Sequence, residues 1–328
     1  MTTRDDTRDD TRDDTRDDTR DDTRDDTRGD NRDDTRGDNR ENTASRLLAA
    51  SARRSYDSAV DIDWSAPLPE DLYHWPPERM SLYGTELWDT LSPEQKVRLS
   101  QHEATSMAAT GVWFEMFSVQ MLVRYAYKLD PTAQPTQYAL VEAGDECRHI
   151  VMFSRSIHRG GTPVYRLSRF TSVLGSVMAK TAWGPSLLAT ILTAEEITDR
   201  FQRETMNDER IQPLVRAVGR IHVVEEARHV QWAREEIVRL MADTNRLSRA
   251  VHRVVLAGAA GTVARSLINS RVYEAVGLPR RRTRRAALRN PEYQETLRWS
   301  AEKIIPFLTE VGLIGGPTTW LWRRAHLL

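Results

Sequence analysis

Apolar side chains recur every three to four residues along most of the chain from residue 92 onward. No segment there shows the period-two alternation between turn residues that is typical of a β-strand. Ser92-Pro93-Glu94-Gln95 is a capping box, and it begins a first long helix that continues to about residue 129. The pattern therefore predicts an all-α domain.

Turn and capping signals divide the remainder into further helices. Gly160-Gly161-Thr162-Pro163 ends a second long helix. A helix containing Pro306 should kink or break there. Four prolines and three tryptophans within 61–91 predict an irregular segment, and the arginine run 280–285 predicts a solvated, helix-capping loop. The predicted helices are 45–60, 92–129, 136–159, 168–181, 185–206, 213–242, 243–276 and 291–311.

The amino-terminal 42 residues differ sharply in composition. Residues 3–42 are ten copies of a four-residue unit, TRDD drifting to TRGD, NRDD and NREN, without one apolar side chain. Such a tract buries too little surface to offset the entropy of ordering it, so we expect a disordered tail over 1–44, followed by one folded domain over 45–328.

Charge, cysteine content and hydropathy narrow the function classes. The repeat has a net charge of −7 within a chain of −1, which leaves +6 for the remainder, too little to indicate a nucleic-acid binder. A single cysteine argues against a disulfide framework. No secretory signal opens the sequence, and the longest nearly apolar run, 254–264, is too short for a membrane span. We expect a cytoplasmic protein without a membrane partner.

Two predicted helices repeat one arrangement of chemically active residues. Glu146 and His149 lie in a D-E-x-x-H context, and Glu226 and His229 in E-E-x-x-H. A separation of three places carboxylate and imidazole on one helix face. Bundle proteins with a carboxylate-bridged dimetal site use two such Glu-x-x-His pairs and one glutamate from each of two other helices.

Each remaining bundle helix offers two candidate glutamates. Glu115 lies within an apolar stretch, where an unpartnered carboxylate would be costly, whereas Glu103 fits an exposed turn, so Glu115 is preferred. In the fourth helix Glu195 lies on the more apolar face and Glu196 on a more polar one. Glu195 is preferred, and Glu196 stays open.

A third histidine extends the set. His222 lies four residues before Glu226 and seven before His229, so the three side chains share one helix face. Mixed imidazole and carboxylate donors suit iron or manganese better than structural zinc. The predicted metal ligands are Glu115, Glu146, His149, Glu195, His222, Glu226 and His229.

These motifs, together with Ile211-Gln212-Pro213, resemble p-aminobenzoate N-oxygenase (AurF) and its relatives over roughly residues 60–315. In an ungapped comparison the family's third histidine and fourth-helix glutamate match His222 and Glu195. The resemblance implies a ferritin-like, usually dimeric protein with two non-haem iron ions. It would use O₂ and an external electron donor to oxidise a small amine, typically an arylamine, through hydroxylamine and nitroso stages towards nitro.

The same motifs are compatible with other functions, and several residues beside the predicted ligands have more than one interpretation. A di-iron C-hydroxylase or desaturase on a carrier-bound substrate is the alternative enzyme, and a ferroxidase or an interaction protein is a more distant one. Arg148 and Arg228 suit either support of ligand carboxylates or ordinary ion pairs, and Cys147 is expected in the core. An aromatic and methionine stripe is expected in the core or, less often, along a substrate pocket: Trp113, Phe114, Met116, Phe117 and Met121.

Overall fold

The computed structural model describes the backbone of residues 26–328 and the side chains from residue 39 onward. This part of the chain is all α-helical, as predicted, without a β-strand; Tyr73 and Ile211 form one isolated bridge. The helices are α1 (Asp26–Arg53), α2 (Glu86–Asp89), α3 (Pro93–Ala126), α4 (Gln134–Arg159), α5 (Arg169–Thr181), α6 (Gly184–Thr205), α7 (Pro213–Ala242), α8 (Arg246–Ser266), α9 (Arg280–Arg289), α10 (Pro291–Ala301), α11 (Ile304–Glu310) and α12 (Thr319–Arg324).

Four long helices form a ferritin-like bundle. Helix α3 packs along α4, α6 packs along α7, and the two pairs meet through α4–α7 and α3–α6 contacts. The additional helices cover this bundle, with α1 on α4 and α7, α5 on α3, and α8 on α6. The predicted bundle with additional helices is therefore confirmed.

Local capping explains where several helices begin. Ser92 and Gln95 exchange both hydrogen bonds of the predicted capping box, 3.2 Å and 2.9 Å long. Ser168 and Asn245 accept backbone N–H groups at the starts of α5 and α8. After α4, Gly161 has φ +65°, which a residue with a Cβ rarely adopts.

The amino-terminal helix differs from the prediction. Helix α1 begins at Asp26, inside the repeat, and ends at Arg53 instead of spanning 45–60. Thr43 and Ala44 are buried, and Arg40 forms an ion pair of 2.5 Å with Glu236 of α7. Contacts with the bundle therefore extend into the last repeat units. Residues 1–25, which hold most of the predicted tail, lie outside the described residues.

Two further elements differ from the prediction, and the predicted break in the last helix lies close to its expected position. Helix α8 ends at Ser266 and not near 276, because Ser106 and Thr110 of α3 donate hydrogen bonds to the carbonyls of Leu267 and Ser266. The predicted arginine loop is helix α9. The last helix breaks at 302–303, which leaves Pro306 in the first turn of α11, where its missing N–H is tolerated.

One stretch of the described residues, Arg246–Val276, has the length of a membrane span and contains an 18-residue window with a mean hydropathy of 1.2. Of that window, 44% is buried inside the domain, and the α-helix in the stretch ends at Ser266. Helix α8 packs against α6 and α12. These contacts are those of a core helix.

Candidate metal centre

The structure brings all seven predicted ligand residues together in the middle of the bundle. Glu115 lies on α3, Glu146 and His149 on α4, Glu195 on α6, and His222, Glu226 and His229 on α7. All are buried, with at most 3% of each residue exposed. Their donor atoms form overlapping groups of three, each within 4.8 Å, that suit a metal ion. We call these residues the seven-residue cluster.

The two Glu-x-x-His pairs face each other across α4 and α7. His149 Nδ1 lies 3.0 Å from Glu146 Oε2 and 3.3 Å from Glu226 Oε1. His229 Nδ1 lies 3.1 Å from Glu226 Oε1 and 3.4 Å from Glu146 Oε1. Each imidazole therefore directs the same nitrogen towards both carboxylates, in an approximately twofold arrangement.

The outer nitrogens of these imidazoles bind carboxylates of the opposite helix. His149 Nε2 lies 2.9 Å from Glu225 Oε2 of α7, and His229 Nε2 lies 3.2 Å from Asp145 Oδ2 of α4. A carboxylate on one nitrogen fixes the tautomer and the ring orientation, and leaves the other nitrogen free to bind a metal.

His222 uses the other ring nitrogen towards the cluster. Its Nδ1 lies 2.6 Å from Gln202 Oε1 of α6, so Nδ1 donates and Nε2 carries the lone pair. Nε2 is 3.3 Å from Glu115 Oε1 and 3.6 Å from Glu226 Oε1. The third histidine thus points into the centre and has a partner that holds it there.

The carboxylates lack the hydrogen bonds that buried oxygens normally have. One oxygen each of Glu115, Glu146, Glu195 and Glu226 is buried and makes no hydrogen bond within the described residues, although Glu146 Oε1 lies 3.4 Å from His229 Nδ1. An unpaired buried carboxylate oxygen is costly, so such atoms call for a cation. Two divalent cations would match the four negative charges, and the mixed oxygen and nitrogen donors fit iron or manganese.

Crowding of charge changes the titration of the metal-free cluster. Burial and the neighbouring carboxylates raise the pKa of Glu115 and of Glu195 well above the usual range. Burial opposes protonation of His149, yet hydrogen bonds to Glu146, Glu225 and Glu226 raise its pKa well above normal. Bound cations would replace these shared protons.

Burial and the nearby His149 lower the pKa of His222 to about 4. A neutral imidazole with a free Nε2 is the form that ligates a metal.

The less favoured candidate Glu103 and the candidate left open, Glu196, lie outside the cluster. Glu196 is paired with Arg234 of α7, with Nε 2.7 Å from Oε1. Glu103 was expected in an exposed turn. It is instead completely buried and accepts a hydrogen bond of 3.1 Å from Ser81 N. Its hydrogen-bond partner, Ser81, lies 22 residues away in the chain, so the residues next to Glu103 in sequence did not indicate it.

Several neighbours of the ligands differ from expectation or were missed. Cys147 is exposed and not in the core. Asp145 and Glu225, which support the histidines, directly precede Glu146 and Glu226, and this repeated acidic pair was the available signal. Arg148 and Arg228 each contact both Asp145 and Glu225 and balance their charge.

Glu142 is a third missed residue, after Asp145 and Glu225. It lies one turn before Glu146, is buried, and shares a possible metal-binding group with Glu146 and His229. Burial raises the pKa of Glu142 well above its usual value. The i, i+4 spacing to Glu146 was the sequence signal that could have identified it.

A cavity of about 120 Å³ adjoins one side of the cluster, where Glu115, Glu195 and His222 form part of its wall. Most of the remaining wall is apolar and includes Trp75 and Phe153. Its volume is on the order of that of a cavity that holds one benzene molecule. Of the predicted aromatic stripe, Phe114 lines this cavity, Phe117 and Met121 line the next one, and Trp113 and Met116 line neither.

The family assignment agrees with this geometry. The family described as P-aminobenzoate N-oxygenase AurF matches residues 37–312, which is most of the chain. The chain therefore belongs to this family of di-iron oxygenases. The predicted membership is confirmed.

Relatives with known sequences include uncharacterized proteins of Mycobacterium bovis and Mycobacterium tuberculosis. Each is 26% identical to this chain over 211 residues. The matched region is 62% of this chain and 62% of each relative. The match thus covers less than two thirds of their length.

Proposed function

We propose that this protein is a di-iron, O₂-dependent N-oxygenase that oxidises an arylamine through hydroxylamine and nitroso stages towards nitro. His222 is the observation that carries the proposal. A plain bundle site needs two histidines, and here a third is buried, held by Gln202, and directed at Glu115 and Glu226. Membership of the AurF family supports the same activity.

The seven-residue cluster would hold two iron ions, which when bound supply the activation of O₂. Glu146 and Glu226 each lie within 3.4 Å of both His149 and His229, and these four residues would hold metal together. Asp145 and Glu225 would hold His229 and His149 in the ligating orientation. The protein itself thus fixes the coordination before any substrate binds.

The adjoining cavity would bind the amine. Its apolar wall suits an aromatic ring and excludes bulk water, while Glu115, Glu195 and His222 bring the cluster to one side of it. We further propose that an external reductant or electron-donor protein supplies electrons, that the protein acts as a homodimer, and that it works in the cytoplasm.

The first experiment combines metal analysis with turnover. Anaerobically iron-loaded protein would be analysed for iron per chain, then mixed with O₂, a reductant and p-aminobenzoate or another arylamine. About two irons per chain and hydroxylamine, nitroso or nitro products are expected. Two irons without oxidation of any amine would favour a carbon substrate, as in a C-hydroxylase. Absence of stoichiometric iron would overturn the proposal.

His222→Ala tests the third histidine separately. The variant should lose iron affinity or turnover, because Nε2 is removed while both Glu-x-x-His pairs stay. His252→Ala is the matched control. His252 is also buried, but it lies on α8, contacts Ser186 at the start of α6, and belongs to none of the possible metal-binding groups. Full iron content and full turnover in His222→Ala would contradict the seven-ligand assignment.

A further inference from the structure

An arginine-rich groove of about 850 Å³ opens on the surface beside α5, α8 and α9. Helix α9 contributes Arg280, Arg281 and Arg284. Four more arginines complete the lining: Arg166, Arg169, Arg265 and Arg271. All seven are exposed, and we call this surface the arginine groove.

No acidic side chain of the described residues lines the arginine groove, and none lies within 4.0 Å of these seven guanidinium groups. Ordinary solvated surfaces mix both signs of charge. Seven like charges around one concave surface repel one another and attract an anion with several charges. Guanidinium groups match the oxygens of phosphate particularly well.

Backbone donors strengthen the same attraction. The first turn of α9 lines the groove through Arg280 and Arg281, and its N-cap, Pro279, makes no side-chain hydrogen bond to the free N–H groups. Free N–H groups at a helix amino terminus favour phosphate binding.

Shared lining residues place the groove, a second cavity and the cavity beside the cluster next to one another. A second, apolar cavity of about 70 Å³ shares Leu167, Thr171 and Thr262 with the groove, and shares Phe114 and Val263 with the cavity beside the cluster. Thr110 of α3 lines all three spaces. At a helical rise of about 1.5 Å per residue, Thr110 lies about 7.5 Å along α3 from Glu115.

We propose that the arginine groove binds a substrate through a head of two or more phosphate groups, as in a coenzyme A thioester. The slender arm of that substrate would pass through the apolar cavity and present its reacting group beside Glu115. The phosphate site is inferred from the arginine groove alone. The placement of the reacting group beside the cluster rests on the proposed oxygenase function. The small volume of the middle cavity selects a narrow arm over a bulky sugar or base.

Binding of pyrophosphate, 3′-phospho-ADP and coenzyme A to the full chain would be measured by calorimetry at physiological ionic strength. Arg281→Gln/Arg284→Gln removes two groove charges from α9. Arg282→Gln/Arg285→Gln is the matched control, because these arginines lie on the same helix, are exposed, and do not line the groove. Removing charged phosphate contacts should weaken pyrophosphate binding at least about tenfold, with the control within about twofold of wild type.

The three probes separate the head from the arm. Coenzyme A binding at least about tenfold tighter than 3′-phospho-ADP, which has the same three phosphate groups without the pantetheine arm, would support an arm in the apolar cavity. Equal affinities of these two probes would refute the arm in the apolar cavity but not the phosphate site. Equal weakening in both double variants, or no binding of any probe, would overturn the site itself. Iron content is measured on the same variants and on the wild-type protein. If the wild-type protein binds no stoichiometric iron, the oxygenase proposal is refuted, whereas pyrophosphate binding still tests the groove.

Discussion

Replacing Glu225 by glutamine tests whether the outer carboxylates prepare the cluster for metal. Glu225 is 1% exposed, and its Oε2 lies 2.9 Å from Nε2 of His149. Its Oε1 accepts a hydrogen bond of 3.2 Å from Tyr56 N. Glutamine keeps the shape, but its single carbonyl oxygen can accept from His149 Nε2–H or from Tyr56 N–H and not from both. The change therefore removes the negative charge behind His149 and one of the two hydrogen bonds.

The expected magnitude follows from this geometry. A carboxylate behind a ligating imidazole makes the imidazole a stronger donor, and loss of such a partner weakens metal binding about 10- to 100-fold. That range corresponds to about 1.4–2.7 kcal/mol. His149 has no other partner on Nε2 among the described residues, so the full effect should fall on this ligand.

Iron affinity would be measured by anaerobic titration against a competing chelator, with unfolding followed separately. Glu235→Gln is the control, because Glu235 lies on the same helix, is exposed, and has a single hydrogen bond among the described residues, from Gln231. Wild-type iron affinity in Glu225→Gln would refute the role of the outer carboxylate. Equal weakening in Glu235→Gln would show that net charge, and not the contact, is responsible.

Two further predictions concern stability away from the cluster. Burial raises the pKa of Glu103 to about 7 in the folded chain, so its contribution to the free energy of unfolding should fall by about 3 kcal/mol as pH rises from about 4.5 to about 7. Urea unfolding of Glu103→Gln should lack this decrease, and an unchanged pH profile would contradict it. Gly161→Ala should lower the free energy of unfolding by about 1–2 kcal/mol because of its φ of +65°. Gly144→Ala, in the interior of α4 with equal free space, should raise it by up to about 1 kcal/mol, and the same sign in both variants would refute the backbone explanation.

The sequence alone was sufficient for the helical class, for most boundaries of the bundle helices, and for membership of the AurF family. The helical class and the helix boundaries depend mainly on interactions between residues close in the chain, and the motifs of the family are likewise short. Helical periodicity, the capping box at Ser92 and the three-residue spacing of Glu146 and His149 all follow from the geometry of one helix. The same geometry predicted that Glu115 and Glu195 face inward.

Tertiary structure decided the partners between helices. The pairs His149–Glu225 and His229–Asp145 depend on the relative register of α4 and α7, and His222–Gln202 depends on that of α6 and α7. A single-helix pattern contains no information about this register, because it is set by the packing of side chains across the interface.

The wrong predictions for Glu103, Cys147 and the end of α8 also arise from contacts between distant parts of the chain. Glu103 and Cys147 were assigned to the surface and the core from neighbouring residues, and the fold places them the other way round. Similarly, α8 ends early because hydroxyl groups of α3, far away in sequence, bind its last carbonyls. Local spacing thus determined which side chains share a face, whereas only packing between distant helices decided what each face contacts.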